Sequence, residues 1–221
     1  METVDIIRQV AVSAIPILVA ITFHEVAHGY TAYRLGDSTA KVMGRLTLNP
    51  LAHIDIFGTV LMPVMLLVMT NGQFVFGYAK PVPVNPMNFK NIRQGMAISA
   101  AAGPATNLLL AVASVILLKI LLFSSDMLSA ELISSVIKPV AMMLTASITI
   151  NIVLAVFNMI PIPPLDGGRV LMGLLPFKYS QSIARIEPYG FIIVLLLLIT
   201  GVAHLVILPV IKILYGIITL I

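Results

Sequence analysis

Residues 21–30 read ITFHEVAHGY and place two histidines and a glutamate inside a long apolar segment, about residues 6–33. A helix of about 20 apolar residues is long enough to cross the hydrocarbon core of a bilayer, so this segment predicts a transmembrane helix. Ionisable side chains are costly at membrane depth and are found there mainly at functional sites. The segment therefore predicts a span and a functional site on it.

The composition supports a membrane protein throughout. Hydrophobic residues make up 59% of the 221-residue chain and charged residues 10%, against about a quarter charged in ordinary soluble domains. Mean hydropathy is +1.07. A soluble globular enzyme and a disordered chain are both excluded. The net charge of +4 suits contact with anionic lipid headgroups and gives no indication of a nucleic-acid partner.

Further apolar stretches define the rest of the fold. Three more are long enough to span, and they are about residues 98–123, 140–160 and 191–221. The last is long enough for a span plus a second segment, with possible break points at Gly201, His204 and Pro209. The sequence predicts an all-α polytopic membrane protein, a single domain over residues 1–221 with about four to six transmembrane segments.

Two shorter regions are expected to depart from simple spans. About residues 56–69 form an apolar segment that reaches only about 21 Å as a helix, so it is predicted to be re-entrant or partly spanning. About residues 72–88 are rich in valine and proline, which predicts an extended strand or small β-hairpin loop.

The pattern H-E-x-x-H, formed by His24, Glu25 and His28, has the spacing of a metal site. Positions i and i+4 lie about 40° apart around a helix, so both imidazoles face the same point, and the glutamate flanks it at about 100°. Two imidazoles that hold zinc and a carboxylate that takes a proton from water are the parts of a zinc hydrolase. The alternative is a polar patch that neighbouring helices satisfy without a metal.

A catalytic zinc takes three protein ligands, and Asp166 is the best candidate for the third. The chain has no cysteine, so the ligand must be a histidine or a carboxylate. Asp166 follows a proline run that should end the preceding helix, and Gly167-Gly168 should then allow a sharp turn. The alternative is that Asp166 only caps a short helix over about residues 168–175.

Together, these motifs resemble the site-2 protease family of intramembrane zinc metalloproteases. H-E-x-x-H is paired with N-x-x-P-x-x-x-L-D-G-G over residues 158–168, and residues 102–107 and 77–85 fit as well. The resemblance covers nearly the whole chain and is closest to compact bacterial members without a PDZ domain. It implies regulated intramembrane proteolysis of transmembrane protein substrates in the bacterial inner membrane.

The resemblance also implies roles for individual residues. His24, His28 and Asp166 are expected to bind one Zn²⁺ per chain, with Glu25 as the general base. Asn158 matches an asparagine that positions substrate or stabilises the oxyanion. For Asn158 the residues leave an alternative open, in which its side chain bonds a carbonyl freed by the proline break.

Topology gives a test of the site. His24 and Asp166 can reach one ion only if their two spans cross the membrane in the same direction. A single crossing by residues 98–123 satisfies this, provided that the short segment does not cross. The loops on the metal side carry most of the lysines and arginines, so the positive-inside rule predicts a site nearer the cytoplasmic face.

A zinc transporter and a non-catalytic binding protein are the alternatives to a protease. A zinc transporter would place ligands at several depths, and a non-catalytic binding protein would not need Glu25.

Residues 73–84 could pair with an unwound substrate by strand addition, or could form a surface hairpin that covers the site. His53 and Asp55 are too few for a second metal site. Asp55 could instead cap the short apolar segment. His204 is expected to be a hydrogen-bonded histidine of the last span.

Overall fold

The computed structural model describes residues 3–69, 77–125 and 128–221, and these residues are mostly helical. The α-helices are α1 (Thr3–Arg34), α2 (Thr39–Val42), α3 (Met62–Met69), α4 (Ile92–Ser125), α5 (Ala130–Leu132), α6 (Lys138–Asn158), α7 (Asp166–Leu174), α8 (Phe177–Ala184), α9 (Glu187–Ile199) and α10 (Val202–Leu220). Short 3₁₀ turns lie at Pro50–His53 and Pro86–Asn88, and π-helical turns lie at Ile56–Leu61 and Ile133–Ile137.

Among the described residues, three helices are long and apolar enough to cross a membrane, over Val10–Arg34, Ile92–Ser125 and Ala130–Asn158. They correspond to three of the four predicted spans. The fourth, over residues 191–221, is not one helix, because the chain breaks at Gly201, which adopts a left-handed φ of 76°. The helices before this break, α8 and α9, are bent by 65° and could together provide one more span.

The short apolar segment is helical, as a π turn that continues into α3. Its 14 residues reach about 21 Å, less than the roughly 30 Å of a bilayer core, which fits the prediction of a partial span. Asp55 caps its start, because the Asp55 Oδ1 atom accepts a 2.7 Å hydrogen bond from the Gly58 N–H. The predicted capping role of Asp55 is therefore confirmed.

The predicted hairpin loop is described only in part, since residues 72–76 lie outside the described residues. Residues 77–85, named the covering segment here, have no regular secondary structure, and Pro86–Asn88 form a 3₁₀ turn. No β-strand occurs in this described part of the loop. Prolines at positions 81, 83 and 86 remove the N–H groups that a strand ladder would need.

Helix α4 lies at the centre of the bundle and packs against α1, α6 and α7. A buried apolar cluster joins α4, α6 and α10, and its members are Ala111, Val115, Ile148, Ile152 and Ile218. Small residues at the contacts, such as Ala20 on α1 and Ala155 on α6, are buried and let the backbones approach closely. This arrangement brings the polar residues of α1, α4 and α7 to one point.

Candidate metal centre

His24 and His28 lie one helical turn apart on α1 and face the start of α7, as their spacing predicts. The Nε2 atoms of the two rings are 3.0 Å apart. The Oδ2 atom of Asp166 lies 3.2 Å from the Nε2 of His24 and 3.3 Å from the Nε2 of His28. His24 and Asp166 are each only 8% exposed. The fold thus brings together three predicted ligands that are far apart in sequence.

These separations match tetrahedral zinc. Bonds of about 2.0–2.1 Å at tetrahedral angles place neighbouring ligand atoms about 3.3 Å apart. The three observed separations, 3.0, 3.2 and 3.3 Å, lie within a few tenths of an ångström of that value. Within the described ranges, this is the one group of three or more histidines and carboxylates whose ligand atoms converge in this way.

The hydrogen bonds of the outer ring nitrogens, the Nδ1 atoms, show which ring nitrogen of each histidine directs a lone pair towards the centre. The Nδ1 of His28 lies 2.7 Å from the carbonyl oxygen of Ser99, which can only accept, so Nδ1 carries the proton. The Nδ1 of His24 lies 2.6 Å from the Oδ1 of Asn107, whose Nδ2 donates to the Ala20 carbonyl. Both histidines therefore present an unprotonated Nε2 to the centre when neutral.

The centre then consists of acceptors that face one another. Two Nε2 lone pairs meet a carboxylate whose Oδ2 is buried and has no hydrogen-bond donor. Buried acceptors in this arrangement repel unless a proton or a cation lies between them. A divalent cation satisfies all three at once, so the residues fit the zinc that the sequence motifs imply.

Asp166 reaches the centre because the chain folds back tightly after α6. The sequence predicted a sharp turn at Gly167-Gly168, but both glycines lie within α7 and neither has a positive φ. Their role is close packing: a Cβ on Gly167 would overlap the backbone of Met159, and one on Gly168 would overlap Pro163. The alternative that Asp166 caps this helix is not supported, since α7 has no side-chain cap.

Gly103 on α4 forms the wall next to the two imidazoles. A Cβ at this position would lie 2.6 Å from the Cε1 of His24 and closer still to the Nε2 of His28. Both rings are anchored by their outer nitrogens, so neither can move aside freely. Only glycine leaves room for the rings at this contact.

Glu25, the predicted general base, is held by the covering segment. The backbone N–H of Val82 donates a 2.7 Å hydrogen bond to the Oε2 atom of Glu25. Two other N–H groups of this segment, at alternate positions, also donate into the protein, from Tyr78 to Gly58 O and from Lys80 to His53 O, each at 3.0 Å. An extended chain points alternate N–H groups to one side, which here is the protein side.

Asp37 anchors the far end of the covering segment. The carboxylate is fully buried and accepts hydrogen bonds from the Asn85 N–H at 2.7 Å and the Asn88 side-chain amide at 2.8 Å, as well as from Thr39. Burial alone would raise the pKa of Asp37, but the hydrogen bonds from Thr39, Asn88 and Asn85 outweigh it and hold that pKa below its ordinary value.

The remaining sequence-predicted residues have simpler surroundings. The side-chain amide of Asn158 donates a 3.0 Å hydrogen bond to the Leu154 carbonyl one turn earlier on α6. His53 is buried and its Nε2 lies 2.8 Å from the Thr47 carbonyl oxygen, a structural contact. The side chain of His204 lies outside the described part of the chain.

Sequence reasoning assigned no role to several residues that shape this site, above all Asn107, Gly103 and Val82, although all three lie in stretches that resemble the family. Asn107 had a visible signal, because an amide inside an apolar span needs a partner, as an ionisable group does. Gly103 and the backbone of Val82 act through close approach and a main-chain donor. No residue pattern within one segment reveals such contacts.

Comparison with known proteins shows similarity to a peptidase family and to proteins named as zinc metalloproteases. Residues 12–201 match the model of peptidase family M50. The protein named "Putative zinc metalloprotease YwhC" from Bacillus subtilis is 39% identical over 195 residues, 88% of this chain and 83% of that protein. "Putative zinc metalloprotease Rip2" is 31% identical in Mycolicibacterium smegmatis, over 83% of this chain and 64% of that protein, and 29% identical in Mycobacterium tuberculosis, over 81% and 63%.

This chain thus spans less than two thirds of the length of the Rip2 proteins. No solved structure matches it. The match to the family model nevertheless covers most of the chain and includes all four residues of the candidate centre, His24, Glu25, His28 and Asp166. The chain therefore belongs to peptidase family M50, the site-2 protease family whose motifs it carries.

Proposed function

We propose that this protein hydrolyses peptide bonds in or near the transmembrane segments of membrane proteins. Membership of family M50 makes the chain a zinc metalloendopeptidase. The observation that carries the proposal is the convergence of His24, His28 and Asp166 beside a glutamate on an apolar helix. The substrate would therefore be cleaved at a site within the helical bundle.

Each residue of the centre has a distinct role in the proposed reaction. His24, His28 and Asp166 would hold zinc, which polarises a carbonyl and lowers the pKa of a water molecule. Glu25 takes a proton from the attacking water and transfers it to the leaving amine. Because the Val82 N–H holds Oε2, we assign the proton transfer to the other carboxylate oxygen, Oε1.

Asn158 is proposed to assist from the end of α6. Its amide group donates to the Leu154 carbonyl, an oxygen that already accepts the regular helical hydrogen bond in that turn. The amide can therefore turn towards substrate at small cost and donate to a developing oxyanion. This position at the last residue of α6, just before the turn that leads to Asp166, supports the role.

His24 lies about ten residues before α1 ends, so the candidate centre lies towards that end of the helix. We propose that the site lies within the bacterial inner membrane, nearer the cytoplasm. Arg34, Lys41, Arg45 and Lys80 lie in or next to loops at the same end of α1, and an excess of basic residues is typical of cytoplasmic loops.

An apolar cavity in the same helical bundle supports an apolar substrate. A cavity of about 460 Å³ lies between α4, α6 and α10 and is lined by apolar residues, among them Pro104 next to Gly103 and Met159 ahead of Asp166. A transmembrane segment offers apolar side chains for such a cavity. Its helix must unwind locally before cleavage, because helical carbonyls are engaged in i to i+4 hydrogen bonds.

The covering segment is better suited to shielding the site than to strand addition. Pro81 and Pro83 have no N–H, and the N–H groups of Tyr78, Lys80 and Val82 already donate to protein acceptors. An added substrate strand would find few main-chain donors on residues 77–84. We therefore propose that these residues shield Glu25 from lipid.

The zinc-transporter alternative is disfavoured by the distribution of ligands. A transport path would offer ligand groups at successive depths. In the described residues, the groups that could hold a metal form a single cluster, beside a glutamate that the covering segment orients. Zinc flux into proteoliposomes containing the purified protein would contradict the protease proposal.

The decisive experiment replaces the proposed base and keeps the ligands. We expect Glu25→Gln to retain zinc, measured by metal analysis, and to lower cleavage of a reconstituted transmembrane substrate at least about 100-fold. Glu131→Gln, a change at an exposed glutamate, serves as the matched control with normal cleavage and zinc content. Normal cleavage by Glu25→Gln would overturn the proposal.

A further inference from the structure

A chain of buried polar side chains links His24 to α6. The Oδ1 of Asn107 lies 2.6 Å from the Nδ1 of His24, and the Nδ2 of Asn107 donates to the Oδ1 of Asn151 at 2.8 Å. Asn107 is fully buried and Asn151 is 1% exposed. The Nδ2 of Asn151 in turn donates to the Ser147 carbonyl at 2.9 Å. Two amides thus connect three helices, α1, α4 and α6.

The direction of every hydrogen bond in this chain follows from its last member. The Ser147 carbonyl can only accept, so the Asn151 group that faces it must be the NH₂, and the Asn151 oxygen must face Asn107. Asn107 then turns its own NH₂ towards Asn151 and its oxygen towards His24.

Reversal of the Asn107 amide would break this pattern at several points. Its oxygen would face two acceptors, the Ala20 carbonyl and the Asn151 oxygen, to which its NH₂ group now donates. Buried acceptors left without donors are costly in a low-dielectric interior. The Nδ1 of His24 must therefore be the donor to Asn107, which leaves its Nε2 free to bind metal.

The two histidines differ in which group holds the proton on Nδ1. The proton on the Nδ1 of His28 is held by a main-chain carbonyl, that of Ser99, which no side-chain substitution removes. The proton on the Nδ1 of His24 is held by side chains of two other helices. Of the two histidines, only His24 therefore depends on how α6 packs against α4.

We propose that Asn151, acting through Asn107, is a positioning residue that fixes the tautomer and orientation of His24 for zinc binding. The proposal rests on the proposed function, since it takes His24 to be a zinc ligand. It assigns a role to a residue of α6 whose side chain hydrogen-bonds to neither a proposed ligand nor the base. Because α6 also leads into Asp166, the packing of this one helix controls two of the three ligands.

The test measures zinc affinity by competition with a chelator. Groups that hydrogen-bond to metal-binding histidines typically contribute 10- to 100-fold to affinity. We expect a loss in this range for Asn107→Leu, and a loss of about tenfold for Asn151→Leu. Asn151→Asp should bind zinc within about threefold of the wild type, because a protonated carboxyl can still accept from Asn107 and donate to Ser147.

Ser114→Ala provides the matched control. Ser114 is buried, and its hydroxyl lies 2.9 Å from the Ser147 hydroxyl, so the change removes a hydrogen bond from the same bundle without altering the amide directions. Both Asn151→Leu and Ser114→Ala should lower thermal stability, but only Asn151→Leu should weaken zinc binding. A cobalt-substituted sample should show altered visible absorption bands for Asn151→Leu alone.

Equal zinc affinity of Asn151→Leu, Ser114→Ala and the wild type would overturn the inference, and so would a large loss of affinity in Asn151→Asp. If leucine prevents folding, Asn151→Ala repeats the test without added bulk. A wild-type protein that binds no zinc would instead contradict the proposed function itself.

Discussion

Two buried carboxylates, Asp37 and Asp166, show how differently one chain can accommodate the same group. Asp37 is fully buried, and both of its oxygens accept hydrogen bonds, from Thr39 and Asn88 on Oδ1 and from Asn85 on Oδ2. Asp166 is 8% exposed and its Oδ2 has no donor.

The difference lies in what each carboxylate faces. The main-chain and side-chain N–H groups around Asp37 stabilise its charge, so no ion is needed there. Asp166 faces the Nε2 atoms of His24 and His28, which are acceptors when neutral. The first carboxylate therefore holds loops together, and the second is suited to binding a cation. Replacing each of the two carboxylates by asparagine should distinguish the stabilising role of the first from the proposed metal-binding role of the second.

Asp166→Asn is expected to have the largest effect. It removes a proposed ligand, so zinc affinity should fall by more than the roughly 100-fold that loss of a supporting hydrogen bond can cost, and cleavage should stop. An amide at this position can donate to a histidine Nε2, so the zinc-free variant should be at least as stable as the zinc-free wild type. Metal analysis and thermal unfolding measure both effects, and normal zinc content would contradict the assignment.

Gly103→Ala should disturb the candidate metal centre, because Gly103 forms the wall next to the two imidazoles. The added Cβ would lie 2.6 Å from the Cε1 of His24, so the rings must shift and zinc affinity should fall about 10- to 100-fold. Gly216→Ala is the control, because a Cβ there meets nothing within 4 Å. Equal chelator competition curves for the two variants would show that the wall does not constrain the centre.

Asp37→Asn should act on stability and leave the metal in place. The new NH₂ group would face either the Asn85 N–H or the donors from Thr39 and Asn88, which costs about 1–3 kcal/mol of unfolding free energy. We expect a lower melting temperature in detergent with unchanged zinc content. Loss of zinc without loss of stability would reverse the roles assigned to the two carboxylates.

The pH dependence of that stability difference should be the smallest effect. Hydrogen bonds lower the pKa of Asp37 in the folded state below its ordinary value of 3.8. Its contribution is therefore complete above pH 3.8 and is lost as the pH falls through the lower, folded-state pKa. The gap in unfolding free energy between wild type and Asp37→Asn should stay constant from pH 7 to about pH 5 and shrink below pH 4. A difference in unfolding free energy that widens below pH 4 would mean that the folded state raises the pKa of Asp37.

The sequence predicted the proposed ligands well because helical geometry is local. The four-residue spacing of His24 and His28 places both rings on one face wherever the helix lies. Asp166 was found because only a few carboxylates follow an apolar span and the proline run marks a break. The reason given for Gly167-Gly168 was wrong, since close contact with Met159 and Pro163 requires these glycines and a turn does not.

The last predicted span shows the limit of hydropathy. Residues 191–221 are apolar enough for a continuous helix, yet α9 and α10 are separated by a left-handed Gly201. Hydropathy counts apolar residues and does not register a break in the helical backbone. Gly201 was among the possible break points, but the sequence could not choose between it and Pro209, which lies inside α10.

By itself, the sequence determined that the chain lies in a membrane, that α1 carries two imidazoles and a carboxylate, and that Asp166 follows a broken helix. These features depend on composition and on spacing within single segments. The tertiary structure alone decided that Asn107 and Ser99 support the imidazoles, that Gly103 leaves them room, and that the Val82 N–H holds Glu25. Such contacts arise from helix packing over long sequence separations, where one hydrogen bond or one methyl group decides whether the geometry is possible.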